Sequence, residues 1–202
     1  MLDIEDLQVA RDGRLLHYSL RADVGEIVAI QGRSGVGKTT LLDTIAGFAT
    51  ASAGRLDWQG TSLLGLDAAR RPVSMLFQDH NLFEHLSVAD NLRLGLSPVL
   101  PEQTLQDALH SLEIAGLLGR RPTELSGGQR QRVALIRTLL RPEPIVLLDE
   151  PFAELDPQSR QLATDWTRRT ARDTHKTLLM VTHQDEDVQQ VADRALVLGV
   201  RA

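Results

Sequence analysis

Apolar residues along this chain alternate between two spacings. Short runs such as Glu26-Ile27-Val28-Ala29-Ile30, Val73-Ser74-Met75-Leu76-Phe77 and Ile145-Val146-Leu147-Leu148 are aliphatic and often β-branched. Runs of that length bounded by turn residues read as buried strands. Between them, apolar residues recur every three or four positions, as on one face of a helix. The pattern predicts strands at 2–9, 15–22, 26–31, 55–58, 73–77, 144–149, 177–182 and 195–198. It predicts helices from 38 and over 127–140, 157–172 and 184–192. Asp12-Gly13 and Val24-Gly25 are turn signals. From 79 to 122, Leu and Ala mix with polar residues and β-branched residues thin out, which predicts a mostly helical insertion. Strands alternating with helices imply a mostly parallel sheet covered by helices on its faces.

A length of 202 residues suits one sizeable domain. The net charge of −5 argues against a nucleic-acid partner bound by broad phosphate neutralisation. The chain has no cysteine, which excludes disulfides and thiol chemistry. The N-terminus has no basic stretch leading into an apolar one, so no signal peptide is expected. No apolar run approaches the roughly 18 residues of a membrane helix, which points to a soluble, cytosolic protein.

One segment between a strand and a helix carries chemistry. Gly32-Arg33-Ser34-Gly35-Val36-Gly37-Lys38-Thr39 fits G-x-x-x-x-G-K-[ST], and Thr40 opens the helix that follows. Glycines let backbone N–H groups wrap a phosphate, and the helix start adds partial positive charge. Lys38 supplies a point charge for the β- and γ-phosphates, and the Thr39 hydroxyl suits Mg²⁺. Two lysines, Lys38 and Lys176, stand against twenty arginines. A lysine kept in so arginine-rich a chain fits a site needing a compact ammonium.

A second segment, Leu125-Ser126-Gly127-Gly128-Gln129, places an N-cap serine before a helix whose start is open to close approach. It reads as a second anion site. The strand Ile145–Leu148 then ends in Asp149-Glu150-Pro151. Two acids at a strand's C-terminal end lie where ligands bind in open α/β sheets. Asp149 is placed to hold Mg²⁺ or its waters, and Glu150 to polarise an attacking water.

These motifs together resemble the ATPase subunit of ATP-binding cassette (ABC) transporters, and the resemblance covers essentially the whole chain. It implies a P-loop α/β fold of the ABC type, with a mostly parallel sheet core, an antiparallel β-subdomain and a helical subdomain at about 79–122. It implies ATP hydrolysis with ATP and Mg²⁺ as cofactors. Gln78 matches the family's Q-loop glutamine, a Mg²⁺ and water contact. Asp156 matches the D-loop aspartate and His183 the switch histidine that holds the γ-phosphate. Partners implied are a second copy packed head to tail, transmembrane permease subunits and, indirectly, a periplasmic solute-binding protein. In that dimer Ser126 and Gly128, with Gly127 and Gln129 beside them, face the nucleotide held by the other chain's Lys38. The implied location is the cytoplasmic face of the bacterial inner membrane.

The stretch from Asp79 to Asn91 corresponds to the part that faces the membrane subunits. There Leu82 and Phe83 read equally as a docking patch or as core packing. A narrower pattern is similar to the ATPases of bacterial thiamine importers: Arg70 to Gln78, Asn81-Leu82-Phe83, His85-Leu86 and Leu94-Gly95-Leu96. Importers of iron(III), polyamines or sulfate, and less directly a non-transport ABC ATPase, are the alternatives. Three departures from the family stand out. No aromatic precedes Tyr18, so an adenine-stacking ring is missing near positions 9–11, where Arg11 offers a guanidinium plane. Tyr18 itself reads as packing. Arg33 replaces a frequent proline, either as a phosphate contact or facing solvent. The sequence stops at Ala202, short of the family's closing hairpin, either as a minimal protein or as a trimmed one.

Overall fold

The computed structural model describes residues 1–79, 81–97 and 99–199. Among these residues, nine strands and six α-helices follow in the order β1 Leu2–Arg11, β2 Arg14–Ala22, β3 Ile27–Gln31, α1 Lys38–Ala46, β4 Ala53–Trp58, β5 Thr61–Ser62, β6 Val73–Leu76, α2 Val88–Arg93, α3 Glu102–Ser111, α4 Gly127–Leu139, β7 Ile145–Asp149, α5 Pro157–Asp173, β8 Thr177–Val181, α6 Asp185–Val191 and β9 Arg194–Val197. One sheet is parallel, with strand order β6-β7-β8-β3-β9. The other is antiparallel, with order β2-β1-β4-β5. Among the described residues both expected sheets are present. Expected and observed elements agree to within a few residues, and only the two-residue β5 has no counterpart in the hydrophobic pattern.

The parallel strands are apolar on both faces because both faces are covered. Within β7, Ile145 and Leu147 join a core with α1 and the antiparallel sheet. Val146 and Leu148 join a second core with the helices α2 to α5. All four are fully buried. Period-two alternation therefore splits one run of aliphatic residues between two cores. Each such side chain contributes about 1.5–3 kcal/mol on burial.

The stretch 79–122 is less helical than its composition suggests. Among its described residues the α-helices are α2 and α3, of six and ten residues, with 3₁₀ turns at Ala115–Leu117 and Pro122–Glu124. The physical reason lies in Asn91, which is fully buried. Its amide donates to the carbonyls of Phe83 (3.0 Å), Leu86 (3.3 Å) and Ser87 (3.0 Å), and its Oδ1 accepts from the Phe83 N–H (2.8 Å). An amide that satisfies four backbone groups lets a turn replace a helix there. Leu82 packs against the core, whereas Phe83 is 51% exposed.

Candidate functional site

The ends of β6, β7, β8 and β3, adjacent in the sheet, converge on one cleft. Its volume is about 760 Å³, and its walls include Ser34, Lys38, Thr39, Gln78, Asp149, Glu150 and His183. Gly35, Gly37, Thr40 and Asp43 complete the floor. The glycine loop bends out of β3 and enters α1 through Gly37, whose φ of 101° is a left-handed conformation. No side chain caps α1 and no acid occupies its first turn. Its N-terminus therefore presents partial positive charge to the cleft.

Lys38 is 6% exposed. Its ammonium donates to the carbonyls of Gly32 (2.9 Å) and Arg33 (3.3 Å), so loop oxygens stand where phosphate oxygens would serve. Asp149 is 2% exposed and its carboxyl is pushed up by burial, an effect the Thr39 hydroxyl partly reverses by hydrogen bonding. Glu150 follows with φ 49° and its N–H on the Val181 carbonyl (3.0 Å). Its Oε1 lies 3.2 Å from His183 Nε2. Burial raises the Glu150 carboxyl and His183 partly offsets this. Among the described residues no three His, Cys, Asp or Glu side chains form a metal cage. A pair such as Thr39 and Asp149 fits Mg²⁺, which keeps waters and shares phosphate oxygens instead of taking an all-protein cage. The residues present thus suit a Mg²⁺–nucleotide.

Several orienting residues carry no sequence signal of their own. Tyr18, three per cent exposed, donates its hydroxyl to the Gly37 carbonyl at 2.8 Å, so the strand tyrosine read as packing also holds the glycine loop. Burial raises its phenol to about 12. Arg160 on α5 donates to the Phe152 carbonyl (3.0 Å) and to Gln184 Oε1 (2.7 Å), joining the loops that follow β7 and β8. Thr182 Oγ1 donates to the buried Asp187 (2.8 Å), which fixes the backbone ahead of His183. Hydrogen-bonding side chains scattered over one strand, two helices and the turn after β8 give no linear motif. Arg11 lines the cleft, while Arg33 points to solvent and contributes its carbonyl. Val36 and Gly32 shape the loop rather than line the cleft.

The other predicted group lies elsewhere. Ser126 caps α4, accepting from the Gln129 N–H (3.2 Å), while Gln129 Oε1 accepts from the Ser126 N–H (3.0 Å). This reciprocal cap is absent from the cleft walls. Gly127 lies so close to Glu154 that a Cβ on it would collide with Glu154 Oε2. Asp156 caps α5, accepting from the Gln158 and Ser159 N–H groups at 3.1 Å each. The fold therefore gathers the glycine loop, Gln78, Asp149, Glu150 and His183, and leaves Ser126 to Gln129 and Asp156 outside that gathering.

A cleft of this form, on a parallel sheet flanked by an antiparallel one, defines a P-loop ATP-binding cassette, and the chain belongs to the ABC transporter family, whose profile matches residues 15–153. It is 46% identical over 204 residues to the thiamine import ATP-binding protein ThiQ of Escherichia coli K12, covering 98% of this chain and 88% of that one. It is 44% identical over 203 residues to the ThiQ of Photorhabdus laumondii, covering 98% and 86%. Among solved structures it resembles the ATP-binding subunit of an ABC transporter, at TM-score 0.87 and 26% identity over 98% of this chain and 85% of that one. It also resembles a dimeric bacterial ABC transporter cassette, at TM-score 0.82 and 25% identity, covering 98% and 94%.

Proposed function

We propose that this chain is the ATP-hydrolysing subunit of a bacterial importer for thiamine and its phosphates, and that two copies close head to tail around two ATP molecules. The carrying observation is the split just described. One set of residues forms a cleft with the glycine loop, and a second helix start, Ser126 to Gln129, lies outside its walls. A two-fold pair completes both. In it Lys38, Gly35 and Gly37 hold the phosphates, and Ser126 and Gly128 meet the partner's γ-phosphate. Glu150 accepts the proton of the attacking water, and His183, 3.2 Å from its carboxylate, holds the γ-phosphate. Mg²⁺ held through Thr39 and Asp149, with Gln78 beside them, would neutralise charge on the transferring phosphate. Catalysis of this kind is positioning plus charge stabilisation.

The membrane side is read from a groove of about 440 Å³ lined by Phe48, Phe77, Phe83 and Leu94. All four side chains are at least 37% exposed, and the Phe48 and Phe77 rings meet at a tilt of 53° with centroids 5.5 Å apart. An apolar groove next to Gln78 suits a helix of a permease subunit. No helix among the described residues is long and apolar enough to cross a membrane. The chain would therefore sit on the cytoplasmic face of the inner membrane through those subunits, with a periplasmic binding protein acting from the far side. The solute rests on the likeness to ThiQ, since the cassette's own cleft holds the nucleotide.

The test is Glu150→Gln with ATP in gel filtration coupled to light scattering. It is expected to run as a dimer with ATP and a monomer with ADP; a monomer under both conditions refutes the closed pair. Reconstituted with its permease, the wild type should be stimulated by thiamine-loaded binding protein and not by proteins carrying iron(III), polyamine or sulfate.

A further inference from the structure

Arg137 lies in the last turn of α4 with its side chain turned back toward the loop after β6. It donates to the Asn81 carbonyl and, at 3.4 Å, to Asn91 Oδ1, and its guanidinium sits 5.7 Å from the Phe83 ring centroid. Among the described residues no carboxylate is within ion-pair distance of it. Burial and the neighbouring Arg141 both lower its affinity for a proton. A guanidinium in such a place carries a desolvation cost that Leu or Met would avoid. What it supplies is a rigid planar fork that fixes several neutral acceptors at once.

Asn81 extends the chain of contacts. Its Oδ1 accepts from the Phe77 N–H at 2.8 Å and its Nδ2 donates to the Phe77 carbonyl at 2.6 Å. Phe77 directly precedes Gln78, which lines the nucleotide cleft. At the far end of the same helix stands Ser126. The thirteen residues of α4 span about 20 Å. Val133, Leu135, Ile136 and Leu139 on it are fully buried, so it is packed along its length.

We infer that Arg137 is a positioning residue that fastens Gln78 to α4, so that one rigid helix links a chain's own nucleotide cleft to the seat it offers its partner's nucleotide. This rests on the closed-pair reading above. In a two-fold dimer the linkage runs both ways, so filling one cleft biases the Ser126 that serves the other. Coupling of this kind appears as cooperativity in ATP, with a Hill coefficient bounded by the two sites.

The experiment measures ATP hydrolysis against ATP concentration for the wild type, Arg137→Met, Arg137→Lys and Asn81→Ala. Monomer ATP affinity and melting temperature are measured alongside. Arg137→Met cuts the link at the helix, and Asn81→Ala cuts it at the loop without touching the buried charge. The wild type is expected above a coefficient of 1. Both cutting variants should lower the coefficient with ATP affinity changed less than twofold, Arg137→Lys should recover part of the cooperativity, and the double variant should add nothing to either single one. Unchanged coefficients in both cutting variants overturn the inference, as does a parallel loss of ATP affinity in the monomer. A wild-type coefficient of 1 while the Glu150→Gln dimer forms also overturns it. Failure of that dimer overturns the closed pair itself, and this inference with it.

Discussion

Removing one oxygen atom tests whether Tyr18 braces the glycine loop. Tyr18→Phe keeps the ring in its buried place and deletes the hydroxyl that donates to the Gly37 carbonyl at 2.8 Å. A neutral hydrogen bond contributes about 0.5–1.5 kcal/mol net, and an acceptor left with no partner costs about 1–3 kcal/mol. The Gly37 carbonyl keeps a second donor, the Leu41 N–H at 2.9 Å, so the lower range applies. A loss of about 1 kcal/mol lowers the melting temperature by about 2–4 °C in a domain of this size. Because Gly37 enters α1 at φ 101°, release of its carbonyl should also loosen the phosphate cradle and weaken ATP severalfold. Calorimetry and nucleotide titration measure the two effects. The pH dependence supplies a control with a definite sign. Burial holds the folded phenol near 12 against 10.0 in the unfolded chain. A raised folded value means that this contribution is complete below pH 10 and is lost as pH climbs toward 12. The wild type should therefore lose stability over that window while Tyr18→Phe does not, and the gap between them should narrow. A Tyr18→Phe protein with unchanged melting temperature and ATP affinity refutes the brace. So does full tolerance of Gly37→Ala, whose Cβ would meet Leu16 Cδ1 at 2.8 Å.

Two further outcomes follow from buried charges. Asp149→Asn removes a carboxyl that burial disfavours in its ionised form, so the nucleotide-free protein should melt higher at neutral pH while Mg²⁺-dependent ATP binding is lost. Since the folded value is raised, the gain should shrink as pH falls toward the ordinary carboxylate range; a lower melting temperature at pH 7 contradicts it. Lys176 donates to the carbonyls of Arg141 and Glu143 at 2.7 Å each and stands just before β8, at the end of that strand opposite His183. Lys176→Met should cost about 1–3 kcal/mol by denaturant unfolding and leave ATP affinity intact, the reverse of Lys38→Ala.

Local patterns already contained most of the elements and most of the residues that line the cleft. Glycine spacing, a cap serine and a strand ending in Asp149-Glu150 are short-range facts, because a turn, a helix start and a sheet end are each made by neighbours in sequence. Alternation along Ile145–Leu148 also implied a strand buried on both faces. The irregular path after Asp79 was hidden, because a single buried amide, Asn91, replaces the backbone bonds a helix would have made. Tyr18, Arg160 and Asp187 were illegible as site residues for a similar reason. Their partners, Gly37, Phe152 and Thr182, are chosen by sheet order and helix packing.

By itself, the sequence determined a glycine loop, two acids at a strand end, a histidine after the next strand and a second helix start. Tertiary structure alone decided which of these share a cleft. Parallel pairing of β6, β7, β8 and β3 brings Gln78, Glu150, His183 and Lys38 to one edge, because strand C-termini in a parallel sheet all end on the same side. Ser126 is carried away from that edge at the head of α4, which packs on the sheet face. A chain that folds this way keeps the Ser126 helix start out of its own cleft.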